Sequence, residues 1–432
     1  MQRLLIRRAR VLCPAQKLDK VADLYVDQGR IEALGDLDTP ADMTIDGRGW
    51  IVCPGLIDMH VHLREPGKEE EETILSGSQA AVASGITTLA CMPNTEPAVD
   101  NEASAEFVVL QGERAGLANV LPIGAITKRR EGRELAEIGQ LVRGGAVAFS
   151  DDGECVQNAD VMRRALEYTR MFDKPVISHC EDKNLSGHGV MHAGKVSTIL
   201  GLGGMPAAAE EIMVSRDTIL AKMTDGLLHI AHASSAGSVE MIRRAKAAGV
   251  RVTAEVTPHH LSLTDECVRT FDSNYKMNPP LRTAADIAAL IEGLKDGTID
   301  AIASDHAPHA PEEKDVEFSY APFGVIGMES ELAVLIKVLV ETGKLTWLQL
   351  IEKLTVAPAR ILRLKKGTLA VGADADITVI DPTKKWTINP NEFRSKSRNC
   401  PFAGWEVTGK TVATIVGGEI KYSEIPPERL LS

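Results

Sequence analysis

The chemistry of this chain is concentrated first in Asp58-Met-His60-Val-His62-Leu-Arg64-Glu-Pro-Gly67, which closes an apolar, β-branched run beginning at Trp50. On an extended strand alternate side chains share a face. His60, His62 and Arg64 are therefore expected to project together, with Val61 and Leu63 packed the other way. Two imidazoles at this spacing can chelate one metal ion, and an arginine beside them can hold an anion. Alone, a His-x-His pair is a weak signal, because a hydrogen-bonded structural pair has the same spelling. Polar residues at the ends of other apolar runs give it weight.

Those runs are Trp50–His62, Thr87–Asn94, Asn119–Ile126, Gly144–Asp152, Pro175–Asp182, Leu227–Ser235, Arg251–His260 and Ile299–His309, with amphipathic helical patterns such as Ala159–Met171, Ser238–Ala248 and Ala284–Leu294 between several of them. Eight β units in series predict an α/β fold, a parallel TIM-like (β/α)8 barrel. A doubly wound open sheet is the alternative, but no Gly-x-Gly-x-x-Gly follows the first strand to support dinucleotide binding. The expected division is 1–53 and 364–432 as the two parts of a small flanking β domain built from both chain ends, with 54–363 as the barrel. Short strands are predicted at Leu4–Leu12, Ala22–Val26, Arg30–Leu34, Ile377–Ile380 and Val412–Val416, and the tail Ser423–Ser432 is expected to pack poorly or to meet a partner.

In such barrels the carboxyl ends of the strands form the active face. His60 and His62 end the first run, Asp152 the fourth, His179 the fifth, His232 the sixth and Asp305 the eighth. Parity makes Asp152, in line with the small Ser150, Ala148 and Ala146, the expected inward residue rather than Asp151, although a strand-end bulge would exchange them. The same rule places His232 with Ile230 and Leu228, leaves His229 packed or hydrogen-bonded, and places Asp305 with Ala303 and Ala301. Four imidazoles and two carboxylates suit Zn²⁺, with Mn²⁺, Co²⁺ or Fe²⁺ conceivable. Six donors exceed what one tetrahedral ion with an open position needs, so two ions sharing a carboxylate fit the count better. His188-x-x-x-His192 lacks the glutamate of a zincin helix. His259 and His260 are expected to line the cleft or cap a turn, Cys180 to be core, and His309 to contact substrate.

Composition narrows the partners. The chain has 432 residues, 44% hydrophobic and 25% charged, enough to bury a large core. A net charge of −12, from 48 basic and 60 acidic residues, argues against nucleic acid and anionic membrane, so an anionic substrate must be caught by local positive charge. Seven scattered cysteines without a Cys-x-x-Cys read as reduced thiols. Early arginines interrupt any signal-peptide core, and no apolar run is long enough to span a bilayer; a cytoplasmic location is expected.

Taken in order, these motifs resemble those of the amidohydrolase superfamily, and within it the bacterial class I dihydroorotases. Supporting pieces are Met-Pro-Asn94-Thr, Phe-Ser-Asp-Asp152-Gly, Ser-His179-Cys-Glu-Asp, Ala-His232-Ala-Ser-Ser, Lys-Met-Asn278-Pro-Pro-Leu-Arg, Ser-Asp305-His-Ala-Pro-His309, and the terminal Gly-Arg-Ile-Glu-Ala-Leu-Gly35 and Gly-Ala-Asp-Ala-Asp376. The resemblance implies one Zn²⁺ on His60, His62 and Asp305, a second on His179 and His232, and Asp152 between them where many relatives use a carboxylated lysine. It implies Arg64 and Asn94 for a substrate carboxylate, with His62, Asn278, His309 and the backbone of Phe323 and Gly324 also touching substrate. Asp305 would be the catalytic acid/base as activated water attacks a cyclic amide carbonyl, reversibly interconverting dihydroorotate and N-carbamoyl-aspartate in pyrimidine biosynthesis. A ring lacking the carboxylate would leave Arg64 unpaired, at about 3–5 kcal/mol. Allantoinases, dihydropyrimidinases and hydantoinases are the rival enzymes, and a non-catalytic scaffold the rival of another class. The resemblance leaves open a homodimer and a complex with aspartate transcarbamoylase. Residues 310–321 read equally as a closing lid or a solvated loop.

Overall fold

The computed structural model describes residues 3–431. Eight strands run parallel in chain order, at Leu56–Val61, Ile86–Cys91, Asn119–Gly124, Ala148–Ser150, Val176–Ser178, Leu228–Ile230, Val252–Val256 and Ala301–Ile302. The first two are buried at every position, as expected of strands covered on both faces. Closure between the eighth and first is made at the mouth: His306 bridges Val61, and its carbonyl accepts the His62 N–H at 2.8 Å. The predicted barrel is the fold.

Two apolar clusters divide the wall. Met59, Ala90, Ile123, Ala148, Ile177, Ala231, Ala301 and Ala303 fill the lumen, while Leu89, Phe149, Leu228, Ile230, Val256 and Ile302 pack with the surrounding helices. Helix Ile74–Ala83 is capped reciprocally: Thr73 Oγ1 accepts from Ser76 N at 3.0 Å, and Thr73 N donates to Ser76 Oγ at 2.9 Å. Helices Ala159–Arg170, Ala236–Ala247 and Ala284–Asp296 fall within a few residues of their predicted spans.

The flanking sheet orders its strands as Glu419–Ser423, Glu406–Val416, Ile377–Thr387, Ile51–Pro54, Leu4–Cys13, Leu18–Asp27 and Arg30–Gly35. Ile51–Pro54 pairs parallel to Leu4–Cys13 and antiparallel to Ile377–Thr387, so both chain ends meet in one sheet. Their shared core includes Ile6, Val11, Leu24, Val52, Val379 and Ile415. Thr378 Oγ1 ties this sheet to the barrel, donating to Gly85 O at 2.5 Å and accepting from Leu56 N at 3.2 Å.

One expectation is refined and one corrected. The tail packs thinly, with none of residues 423–431 buried, yet its end is anchored: Leu430–Leu431 pairs antiparallel with Met43–Asp46, and the Arg429 guanidinium lies 4.8 Å from the Trp50 ring centroid. Ser432 lies outside the described residues. The C-terminal strands are also longer than predicted, because polar positions such as Lys384 and Lys385 belong to an exposed strand end that an apolar count misses. All seven cysteines are free, and among the described residues no helix is long and apolar enough to cross a membrane.

Gly55 joins the two sheets, and a Cβ there would lie 2.7 Å from the Cβ of buried Thr87. Gly55→Ala should lower unfolding free energy by about 1–3 kcal/mol through overpacking, read as a shift in the urea midpoint; an unchanged midpoint would show that the junction can yield.

Candidate metal centre and carboxylate pocket

All six proposed ligands converge at the carboxyl end of the barrel, buried. His60 Nε2 lies 3.4 Å from both Asp152 Oδ1 and Asp305 Oδ1, and His62 Nε2 lies 3.6 Å from Asp152 Oδ2 and 3.2 Å from Asp305 Oδ1. On the other side, Asp152 Oδ1 lies 3.5 Å from His232 Nε2 and 3.8 Å from His179 Nδ1, and those two nitrogens are 2.9 Å apart. Donors about 2.0–2.2 Å from a shared ion at tetrahedral angles stand about 3.3–3.6 Å from one another. Two groups, His60–His62–Asp305 and His60–Asp152–His232, are compact enough to hold an ion. His60 Nε2 and Asp152 Oδ1 are buried without a hydrogen-bond partner among the described residues, an expensive state that a cation would relieve. The donors therefore fit a metal, with His60 common to both groups and Asp152 within 3.4–3.8 Å of all four imidazoles.

Simple strand alternation does not explain how the donors arrive. Pairing of the first two strands slips between Asp58/Leu89 and Val61/Cys91, three steps against two. A bulge of this kind re-aims side chains, and His60 lies inside it. Leu228 and Ile230, expected to share the lumen with His232, face the helices, and Ala231 faces the lumen. The sixth strand ends at Ile230, and His232 turns in through a φ of +31°. Arg64 and Asp305 also lie past their strand ends, with φ of +60° and +49°. Non-glycine residues in the left-handed region are costly, and such strain gathers at functional sites. Parity does separate the aspartates: Asp151 accepts from Ile126 N at 2.9 Å and Thr127 N at 3.1 Å, away from the donors.

The outer faces of the rings are held as well. His60 Nδ1 lies 2.6 Å from Glu255 Oε1, whose other oxygen meets His229 Nε2 at 3.2 Å. His62 Nδ1 donates to Asn94 Oδ1 at 2.8 Å. His179 Nε2 lies 3.0 Å from Glu181 Oε2, which also accepts from Lys183 Nζ and Asn278 Nδ2, each at 2.9 Å. Such partners fix the tautomer and aim of a ligating imidazole. Burial works against every charge here. Even so, Asp152, Asp305 and Glu255 carry the His60 imidazole well above its usual value, and the imidazoles hold Asp152 and Asp305 well below theirs.

Arg64 is buried rather than salt-bridged at the surface. Its Nε–H donates to Pro308 O at 3.1 Å, and Nε lies 2.9 Å from Glu71 Oε2. Among the described residues Glu71 Oε2 makes no hydrogen bond, so that contact is ionic and poorly aligned, the N–H being aimed at Pro308. Neither Nη has a hydrogen-bond partner among the described residues, which leaves the outer edge of the guanidinium for an anion. Glu71 also corrects the expectation of an unpaired arginine: the charge is already compensated, so an uncarboxylated ring costs less than about 3–5 kcal/mol.

His309 is buried, Nε2 donating to Phe323 O at 2.8 Å, with burial first and Arg64 second pushing it down to about 2. The Gly324 N–H donates to Lys276 O at 2.9 Å, and Gly324 O accepts from Lys314 Nζ at 3.0 Å and Asn399 Nδ2 at 3.2 Å. The backbone groups of Phe323 and Gly324 named here thus have protein partners. In the 310–321 segment, Lys314 O accepts from Ser273 Oγ at 2.6 Å and Ser319 O from Lys276 Nζ at 3.0 Å. His260 is held by Thr257 Oγ1 at 2.8 Å and Pro279 O at 2.9 Å, and Cys180 is buried. His259 is buried with Nε2 unpartnered, and His188 is exposed.

Glu255 and Glu71 escaped the motif reading, and Glu181, though inside Ser-His179-Cys-Glu-Asp, received no role in it. Glu255 left a signal, a carboxylate inside the apolar Val252-Thr-Ala-Glu-Val256. Glu71 left none, because Glu69-Glu70-Glu71-Glu72 reads as a solvated acidic run.

With this geometry in place, the comparisons define the class: residues 51–421 match the amidohydrolase family, and the chain belongs to it. It is 54% identical to a dihydroorotase of Pelotomaculum thermopropionicum across 97% of this chain and 98% of that protein, and 51% identical to a dihydroorotase of Syntrophus aciditrophicus across 98% and 100%. The resemblance seen in the motifs holds. Among solved structures, an L-hydantoinase (dihydropyrimidinase) from Arthrobacter aurescens superposes with a TM-score of 0.88 at 25% identity, covering 99% of this chain and 97% of that one. A dihydropyrimidinase from Brevibacillus agri NCHU1002, with a TM-score of 0.84 at 23% identity over 98% and 95%, shares the fold.

Glu255→Gln should weaken metal affinity about 10–100-fold with the fold intact, measured by competition against a chromophoric chelator; unchanged affinity would sink the orienting role. A proton on His60 competes with the ion. Because its affinity for that proton is raised, metal binding should release protons and occupancy should fall as pH is lowered, as read by metal content after dialysis across a pH series.

Proposed function

We propose that the chain is a zinc-dependent dihydroorotase, closing N-carbamoyl-L-aspartate to dihydroorotate and reopening it in pyrimidine biosynthesis. The observation that carries this reading is identity above one half, over nearly the whole chain, with a protein named dihydroorotase. The nitrogen and oxygen donors suit Zn²⁺. Barrel residues 54–363 would supply the six donors, and 1–53 with 364–432 the flanking part.

His60, His62 and Asp305 would hold one ion and His179 with His232 a second, Asp152 being shared. When bound, zinc supplies Lewis acidity toward water and a carbonyl oxygen. Asp305 is the acid/base: its carboxylate, kept ionised by His60 and His62 against the opposing effect of burial, takes the proton of the attacking water and returns it to the departing ring nitrogen. The outer edge of Arg64 binds the ring carboxylate by charge-assisted hydrogen bonds. Asn94 orients His62 from the same side, and Asn278 and His309 bound the ring. Hydantoinases share the fold but act on rings without this carboxylate, so Arg64 is what separates the readings.

Purified protein should hydrolyse dihydroorotate and cyclise carbamoyl-aspartate, with dihydrouracil, hydantoin and allantoin far poorer; preference for dihydrouracil would replace this assignment with that of a dihydropyrimidinase. A strong chelator should abolish turnover and Zn²⁺ restore it. Asp305→Asn should lower kcat by about 10²–10⁴-fold, and a kcat within threefold of the parent would remove Asp305 from the proton path.

A further inference from the structure

Glu71 is a buried carboxylate for which the proposed reaction has no role. Its Oε1 accepts from Lys68 Nζ at 2.8 Å, while Oε2 sits 2.9 Å from Arg64 Nε and 3.7 Å from His309 Nδ1. Its backbone is fixed: Glu71 N donates to Lys68 O at 3.0 Å, and Ser397 Oγ donates to Glu71 O at 2.8 Å. Its side chain is 1% exposed and held by Lys68, which leaves the carboxylate little room to move when an anion arrives. Glu71, His309 and Glu313 are close enough to resemble a cation site, but Arg64 already occupies that role.

We propose that Glu71 is an affinity-setting residue, a fixed counter-charge that holds the carboxylate pocket near neutrality and keeps binding of the carboxylated substrate modest. The inference rests on the dihydroorotase reading, with Arg64 as the carboxylate receptor. A substrate carboxylate on the outer edge of Arg64 faces Glu71 across one guanidinium. At that separation like charges in a partly buried site repel appreciably. Arg64 keeps its aim without Glu71, since Pro308 O receives its Nε–H. The carboxylate of Glu71 therefore subtracts from affinity more than it adds to orientation. Lys68, about half exposed, partly offsets Glu71, and Glu313 contributes further negative charge 3.3 Å from His309. A pocket without Glu71 would grip both substrate and product, slowing release.

Two substitutions should move KM in opposite directions. Glu71→Gln should lower KM for dihydroorotate about tenfold, with kcat equal or lower as release slows. Lys68→Met, which strips compensation from Glu71, should raise KM about threefold with kcat unchanged. Neither should alter the slow turnover of dihydrouracil, which has no carboxylate for the charge to act on. A purely structural Glu71 would instead raise KM and lower kcat together on both substrates. A raised or unchanged KM in Glu71→Gln, or a lowered one in Lys68→Met, overturns the proposal. Should Glu71→Gln not fold, the Lys68→Met result decides alone. Parent protein that ignores dihydroorotate would refute the parent reading before either variant is compared.

Discussion

Everything at the mouth of this barrel answers to the cost of crowding six ionisable side chains into a buried space with donor atoms 2.9–3.8 Å apart. Two carboxylates and four imidazoles can share such a volume only by compensating one another, through protons or through a cation. The unpartnered His60 Nε2 and Asp152 Oδ1 show that hydrogen bonding has not done this fully. The same demand explains the surrounding shell. Glu255, Asn94 and Glu181 occupy the outer nitrogens of His60, His62 and His179, so each ring presents one chosen edge inward.

The mouth is also a composite of distant chain segments. Ser395–Asn399 belongs to the C-terminal part yet reaches over the barrel. Asn399 Nδ2 donates to Ala307 O at 3.0 Å and to Gly324 O at 3.2 Å, while its Oδ1 receives His309 N at 3.4 Å. Ser395 and Ser397 meet the side chain of Glu72 and the backbone of Glu71. One satisfied asparagine thus couples the two ends of the connection after the eighth strand, which carries both His309 and Gly324. This gives the flanking part a physical reason to remain attached: it braces the segment between Ala307 and Gly324.

Fold and substrate separate cleanly here. The architecture is shared almost completely with a hydantoinase at a TM-score of 0.88, so the barrel cannot by itself select the ring. In the proposed reading, selection falls to a few side chains near the donors, above all Arg64. Glu71 Oε2 lies 2.9 Å from Arg64 Nε, so the guanidinium is not a bare charge in the fold, and on the proposed reading directional hydrogen bonds would be left to do the choosing.

Much was legible in the chain alone, for a physical reason: barrel strands are short, apolar and covered on both faces, so each polar residue at a strand end stands out against its run. That contrast exposed His60, His62, Asp152, His179, His232 and Asp305, and the order of the runs implied the barrel. Alternation failed where the backbone departs from ideal extension. The bulge around His60 and the left-handed turns at His232, Arg64 and Asp305 aim side chains by local geometry that no parity count contains. Glu71 marks the other limit. Two glutamates in the run of four, Glu71 and Glu72, are buried while Glu69 and Glu70 are exposed, a difference settled by Arg64 beside Glu71 and by His306, Ser395 and Ser397 arriving from elsewhere in the fold. Residue type and order determined the donors and the architecture; only tertiary packing decided which charges lost their water and which partner each received in exchange.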